Sequence, residues 1–430
     1  MAWTQREPSR SIDGVTPSHV RECLASLRDE LYELALDLVR TPSVTGDEDA
    51  AQETLAARFR DWGLDVDLWT VEPSLKAHRA YCDDGLPVER QNLVARWGEP
   101  RETAALILNG HIDVVPPGER ERWDTNPFDA RIHQGRLHGR GSCDMKGGLA
   151  ACCIAVRAAM KLGITPKRPI LIQSVIGEET GGLGTLAAIE RGYRADGAVI
   201  AEPTSLHMCP VQAGALSFKL HVPGKAAHGA MRRWGVSAVE KFWPVFSGLE
   251  AFEKKRHESF EHPFYEAGQL VAPLSVGKIQ AGNWPSTVPE ELVAEGRFGI
   301  FPGEDCEEAR RAFEAVVKQV GDRDDWLEEN PVRVEWFEGQ FEPGETDAKA
   351  PLLEELSTCH EEVLGKAPVS HGVSYGSDLR LFTRYAEMPA VLYGPGDVAL
   401  AHAANEWLPL DELVQAAEVL TLLIARKLDA

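Results

Sequence analysis

The sequence predicts an α/β fold: a mostly parallel-sheet domain into which a second, ferredoxin-like α+β domain is inserted. Three observations lead there. Between Asp65 and Glu202, short apolar strand patterns alternate with helical ones, the rhythm of a mostly parallel sheet. Near Gly214 the rhythm changes to strand, helix, strand, strand, helix, strand, which is the ferredoxin-like order. The chain has 430 residues, more than one hydrophobic core accommodates, so two domains are expected.

The elements follow in order. Residues 1–16 are polar and read as a loose arm. Helical periodicity runs over residues 19–39 and breaks at Thr41-Pro42-Ser43-Val44-Thr45-Gly46, and residues 48–62 form a second helix. Strands are expected at 65–69 and 92–97. Residues 104–108 are an apolar run closed by Asn109-Gly110, a buried strand ending at a turn. Residues 149–160, rich in Leu, Ala, Cys, Ile, Val and Met, read as a buried helix packed on the sheet. Residues 169–175 and 196–201 are further strands. In the second domain, strands are expected at 215–222, 274–279, 293–301 and 332–337, helices at 236–253 and 304–320, and a charged, aromatic loop at 254–266. The domain boundaries expected from this pattern are 1–213, 214–341 and 342–430, the first domain resuming near Pro343. No internal repeat or low-complexity segment interrupts them.

The chemistry-bearing residues fall where strands end. His111 and Asp113 come just past the strand at 104–108, the place where open α/β sheets put their ligands. If the backbone stays extended, residues two apart face the same way, so one can hold a metal while the other's carboxylate orients an imidazole. Gly139-Arg140-Gly141-Ser142-Cys143-Asp144-Met145-Lys146-Gly147-Gly148 follows, and its four glycines require sharp turns around Asp144. Asp144 could simply cap the next helix. A phosphate-cradling loop is the other conceivable use of a helix N-terminus, but neither the Walker pattern nor a Gly-x-Gly-x-x-Gly after a strand is present here.

Gly177-Glu178-Glu179-Thr180-Gly181-Gly182 ends the strand at 169–175. Adjacent carboxylates at a strand terminus repel one another unless something cationic stands beside them. A metal pair meets that need, with one glutamate coordinating and its neighbour serving as general base. A solvated acidic turn is the plain alternative. Glu202-Pro203 ends the strand at 196–201, and Ala390-Val391-Leu392-Tyr393-Gly394-Pro395-Gly396 leads to His402, with Asn405-Glu406 behind it.

In this combination the motifs resemble the metal-dependent amidohydrolase and peptidase family that includes acetylornithine deacetylase, succinyl-diaminopimelate desuccinylase, aminoacylase and glutamate carboxypeptidase. The resemblance runs from about Leu34 to the end of the chain. It implies that His111 ligates one metal, with Asp113 steering its ring, and that Asp144 bridges two metals. By the same resemblance Glu178 is the general base, Glu202 joins His111 on one metal, and Glu179 and His402 pair on the other. The implied cofactor is two divalent ions. Zinc suits this histidine and carboxylate set, and cobalt or manganese accept the same ligands. Cys143, beside the bridging aspartate, reads as packing rather than as a ligand.

The inserted domain resembles the family's lid, which commonly mediates dimerisation, so a homodimer through it is expected. His228, in Gly-Lys-Ala-Ala-His-Gly, resembles the histidine that reaches a partner subunit's active site and polarises the scissile carbonyl. Asn283 and Arg297 are similar to positions that hold the substrate's oxyanion or carboxylate, a task the planar fork of arginine suits. Ser377 and Asp378 fall where the family places a substrate-side loop.

The resemblance thus implies hydrolysis of the amide in an N-acyl amino acid or similar small molecule, nearest the acetylornithine and succinyl-diaminopimelate branch. The rival readings are a metallo-dipeptidase or carboxypeptidase, a hydrolytic deaminase, and a ligand-binding relative without turnover. The last would lack a base or a bridging ligand, and Glu178 and Asp144 are both present.

Composition bounds the partners. With 45 basic against 67 acidic residues the net charge is −22, which repels nucleic acid and anionic membranes. The eight cysteines include adjacent Cys152-Cys153 and no Cys-x-x-Cys spacing, as expected of reduced core thiols in a cytoplasmic protein. Residues 1–20 are polar, with Arg6, Glu7, Arg10 and Asp13 in place of a hydrophobic signal core, and no apolar stretch approaches a membrane span.

Overall fold

The computed structural model describes residues 14–429, so most of the polar arm read at 1–16 lies outside the described residues. The described residues fall into two compact units: those up to 210 with 346–371 and those from 381 onward form one, and residues 211–345 and 372–380 the other.

The larger unit is built on a sheet whose strands lie side by side in the order Asp65–Thr70, Gln91–Trp97, Ile170–Val175, Leu106–His111, Ala198–Ile200, Ala390–Leu392, then Met208–Gln212. The middle four are parallel, and antiparallel pairs close both sides. Strands covered on both faces read as unbroken apolar runs rather than alternating ones. That is why Leu106, Ile107 and Leu108 are all fully buried, each contributing on the order of 2 kcal/mol by leaving water. Register sets the site: His111 pairs with Val175, and Asn109 with Ile200, so Glu178, Glu179 and Glu202 follow their strands at the same end as His111.

Helix Gly147–Lys161 is buried along nearly its whole length and packs against helix Leu410–Asp429. It presses onto the sheet at Gly148, where a Cβ would stand 2.0 Å from the carbonyl oxygen of Ala201, the residue before Glu202. Lys146, just ahead of it, is fully buried and donates to the carbonyls of Leu38 and Thr41 at 2.8 Å each, which satisfies the end of helix Arg28–Arg40. The single helix expected over 19–39 is two, Pro17–Ala25 and Arg28–Arg40. The break falls at Ser26, whose hydroxyl bonds back to the carbonyl of Cys23, the competition with helix that serine is prone to.

A three-stranded ribbon went unread in the sequence. It places Trp407–Pro409 beside Arg136–His138, with Arg131–His133 on the outside. Its strands are only three residues long, too short for periodicity to declare.

The smaller unit has a four-stranded antiparallel sheet in the order Leu274–Ala281, Glu291–Ile300, Gly214–Pro223, Arg333–Phe341. Helices Ala238–Glu258 and Cys306–Gly321 fall between its strands in the ferredoxin-like order. Strand Gly214–Pro223 alternates buried and half-buried positions along most of its length. Its Phe218 packs at a tilt against Phe313, which packs in turn against Phe298 of the same core, with ring centroids 4.8 Å and 5.1 Å apart. The first helix continues to Glu258, five residues into the stretch read as loop from 254, and the remainder follows as turns and irregular chain. Among the described residues no helix is long and apolar enough to cross a membrane.

Candidate metal centre

His111 closes its strand with the ring buried. Its Nδ1 lies 2.9 Å from the backbone carbonyl of Asp113 and 3.7 Å from that residue's Oδ1. With Nδ1 turned to that carbonyl, Nε2 is the ring nitrogen that faces Asp144, whose Oδ1 is 3.1 Å away. The Asp113 carboxylate works mainly elsewhere: its Oδ1 accepts the Glu178 N–H at 3.2 Å, and its Oδ2 the Glu179 N–H at 3.3 Å and the Thr45 hydroxyl at 2.9 Å. One buried carboxylate thus fixes the turn that carries both glutamates. Gly177 begins that turn at φ 61°, a conformation glycine adopts freely.

Asp144 lies in the kinked segment Ser142–Lys146 ahead of the long helix. His402, at φ 60° after the sheet's Ala390–Leu392 strand, brings Nε2 to 3.0 Å from Glu179 Oε2 and 3.4 Å from Asp144 Oδ2. Two groups result, His111 with Asp144 and Glu202, and Asp144 with Glu179 and His402, each offering ligand atoms within 4.8 Å of one another. Asp144 belongs to both.

Charge explains what such an arrangement needs. Burial alone would raise the Asp144 carboxyl, but hydrogen bonds from His111 and His402 hold it well below the usual carboxylate range. Burial, and then the neighbouring Asp144, push Glu179 up. Hydrogen bonds to Asp144 and Glu179 raise His402 to about 10, and His111 is raised well above its ordinary value against the pull of burial. Both imidazoles are thus drawn into the cationic role that this cluster of acids demands. Divalent ions fit the same place. The donors are imidazole nitrogens and carboxylate oxygens, and Glu179 Oε1 is buried without a hydrogen-bond partner.

The structure therefore brings together His111, Asp113, Asp144, Glu178, Glu179, Glu202 and His402, all in the larger unit. Cys143 stands outside both ligand groups. Burial pushes its thiol far up, and Sγ lies 3.4 Å from the Asp397 carbonyl. His228, Asn283 and Arg297 belong to the smaller unit. There His228 is exposed, its Nδ1 accepting the Ala230 N–H at 3.2 Å, and Asn283 is exposed beyond strand Leu274–Ala281. Arg297 is half-buried on strand Glu291–Ile300 and donates to the Ser374 carbonyl at 2.7 Å. Ser377 and Asp378 are buried in the same unit, the Ser377 hydroxyl bonding Gln212.

Two supporting groups were missed in the sequence. Beneath the Glu178–Glu179 turn, Arg90 donates to Glu48 at 2.7 Å and lies 3.5 Å from Asp84, which accepts the Thr180 hydroxyl at 2.7 Å. Beside Asp144, the carboxylate of Glu406 is fully buried and accepts backbone N–H groups of Gly141, Cys143 and Asp144. The one available signal for Glu406 was an acid opening the apolar run Trp407-Leu408-Pro409-Leu410.

Comparison with known proteins agrees with this geometry. A sequence model of Peptidase family M20/M25/M40 matches residues 107–426. The chain is 31% identical over 436 aligned residues to N-formyl-4-amino-5-aminomethyl-2-methylpyrimidine deformylase of Halalkalibacterium halodurans, covering 95% of this chain and 97% of the relative. It is 30% identical over 362 residues to acetylornithine deacetylase of Myxococcus xanthus, covering 81% of this chain and 87% of the relative. Its fold superposes on a dipeptidase of Saccharomyces cerevisiae with a TM-score of 0.75 at 16% identity, over 96% of this chain and 99% of the other.

Proposed function

The chain belongs to Peptidase family M20/M25/M40, and from that membership we propose that it hydrolyses the amide of a small N-acyl compound at a two-metal centre formed by His111, Asp144, Glu179, Glu202 and His402. The observation that carries this reading is the sharing of Asp144 between two histidine and carboxylate groups at one end of the parallel strands. When bound, two divalent ions, zinc by donor type, supply a water of lowered pKa and polarise the acyl carbonyl.

The chain's own residues do the rest. Glu178 takes the proton of the attacking water and returns it to the departing amine, so that one carboxylate and one amine leave. Asp113 holds the Glu178 backbone N–H and so fixes where that base stands. His228, reaching the active site of a partner subunit, polarises the scissile carbonyl there, and Asn283 and Arg297 hold the substrate's oxyanion or carboxylate. The smaller unit serves as lid and as the contact of a homodimer, and the enzyme works in the cytoplasm. A solution mass of one chain would overturn the dimer.

The acyl group is sought first among formyl, acetyl and succinyl amides, since the relatives aligned above are named as a deformylase and a deacetylase. The deciding experiment is turnover of the metal-reconstituted protein on N-formyl aminomethylpyrimidine, N-formyl, N-acetyl and N-succinyl amino acids, and unblocked dipeptides, with released acid and amine followed separately. Equal release of both from one acyl class supports the deacylase. Cleavage of dipeptides alone moves the chain to the peptidases, and amine without acid points to deamination.

A further inference from the structure

We propose that Arg140 and Glu406 form a clasp that acts chiefly on one metal position, that of Asp144, Glu179 and His402, and more weakly on that of His111, Asp144 and Glu202, which shares only Asp144 with the clasped segments. The inference rests on the two-metal reading and deepens it.

The two positions are held by different means. His111 and Glu202 follow neighbouring parallel strands whose backbones are bonded in register, Asn109 against Ile200. The sheet itself fixes their spacing. Asp144 and His402, in contrast, lie on two loops outside the sheet. The ribbon that approaches them ends at the pair His138 and Trp407, and one more backbone bond, Gly139 N–H to Glu406 carbonyl at 3.1 Å, extends it.

Past that point, apart from the His402–Asp144 contact itself, every hydrogen bond joining 140–144 to 402–406 among the described residues has an Arg140 or Glu406 side chain as a partner. Glu406 Oε2 accepts Arg140 NH1 at 2.6 Å and the Gly141 N–H at 3.0 Å. Its Oε1 accepts the N–H of Cys143 at 2.8 Å and of Asp144 at 3.0 Å. Arg140 in turn donates to the carbonyls of Ala403 and His402, each at 3.3 Å. The holding is reciprocal: a carboxylate from the His402 segment fixes the backbone of Asp144, and a guanidinium from the Asp144 segment fixes the backbone of His402.

The pair is dry, with side chains 2% and 0% exposed, so solvent does not substitute for a lost partner. The His402 side chain is 55% exposed, so little packing holds its ring if the backbone loosens. Arg140 and Glu406 touch no substrate or metal in this scheme and act by positioning ligands, as groups behind a metal site commonly do.

The test is metal titration of the metal-stripped full-length protein, with zinc by calorimetry and with cobalt by its visible spectrum. Wild type is expected to take up two ions. The step abolished by His402→Ala identifies the position in question. Glu406→Gln should weaken that step about 10-fold or more, and the other, reached only through Asp144, by a clearly smaller factor. Arg140→Lys, which keeps the charge and loses the fork, should give an intermediate loss and restore part of the cobalt signature. In the His402→Ala background, Glu406→Gln should weaken the remaining ion only by that smaller factor. Equal weakening of both steps, or of neither, overturns the clasp. Uptake of fewer than two ions by wild type would instead strike the two-metal reading itself.

Discussion

Replacing Glu48 by glutamine should make the protein more stable, and only above acidic pH. Glu48 is fully buried beneath the turn of the two glutamates, facing Arg90 at 2.7 Å with Asp113 nearby. Burial raises its carboxyl first, repulsion from Asp113 adds to that, and Arg90 only partly compensates because Asp84 shares the same guanidinium. The result is a carboxyl moved from 4.5 to about 7. Between those values the folded protein holds a proton that the unfolded chain has released, so stability falls as pH rises and levels off above the upper value. A displacement from 4.5 to about 7 corresponds to on the order of 3 kcal/mol. Glutamine does not titrate, so the advantage of Glu48→Gln over wild type should grow from near zero at pH 4.5 to as much as ~3 kcal/mol at pH 8. Urea unfolding of both proteins, at several pH values in the same chelator, measures that difference while shared titrations cancel. A gap that is constant with pH, or that favours wild type at pH 8, would show that Arg90 stabilises the ionised form after all and refute the reasoning.

Three further outcomes are expected. Glu178→Gln should retain two metal ions by elemental analysis while turnover drops about 10²- to 10⁴-fold; loss of metal with activity kept would remove Glu178 from the role of base. His402→Ala should lose one equivalent of metal and His111→Ala the other, so a variant that keeps both ions, or sheds both, contradicts the division at Asp144. Gly148→Ala drives a methyl to 2.0 Å from the Ala201 carbonyl, so its thermal midpoint should fall by the equivalent of about 1 to 3 kcal/mol, and an unchanged midpoint would deny the close packing of that helix.

What was legible in the sequence tracks how locally each feature is encoded. The apolar strand at 104–108 and the buried helix after Gly148 announce themselves by unbroken hydrophobicity, and the acids and histidines placed at strand ends need only the sheet's register to converge. The glycines of the Asp144 loop were readable because glycine is demanded wherever chain meets chain closely. Glu48, Arg90 and Glu406 carried no such mark. Each is a charged residue of a type that is usually solvated, and each is buried only because a partner distant in sequence neutralises it, Glu48 with Arg90 and Glu406 with Arg140. The division of Asp113's work was hidden for a similar reason, since its spacing to His111 suggested the ring and its carboxylate in fact grips the backbone of Glu178 and Glu179.

The centre is thus built on two principles with different costs. Ligands on strand ends inherit their spacing from backbone hydrogen bonds that the fold must make in any case, so that half is as stable as the sheet. Ligands on loops need dedicated side chains, and here these are buried ion pairs, which are poor sources of stability and good sources of geometry. Glu48 and Arg90 sit below one loop and Glu406 and Arg140 beside another, each pair almost wholly buried. A charge retained at such cost serves to aim what it touches. What these two pairs touch is the turn bearing Glu178 and Glu179, and the backbones of Asp144 and His402. Replacing Glu406 and Arg140 with apolar residues of similar volume would leave the N–H groups of Gly141, Cys143 and Asp144 without their acceptor, so both the stability and the metal centre should suffer.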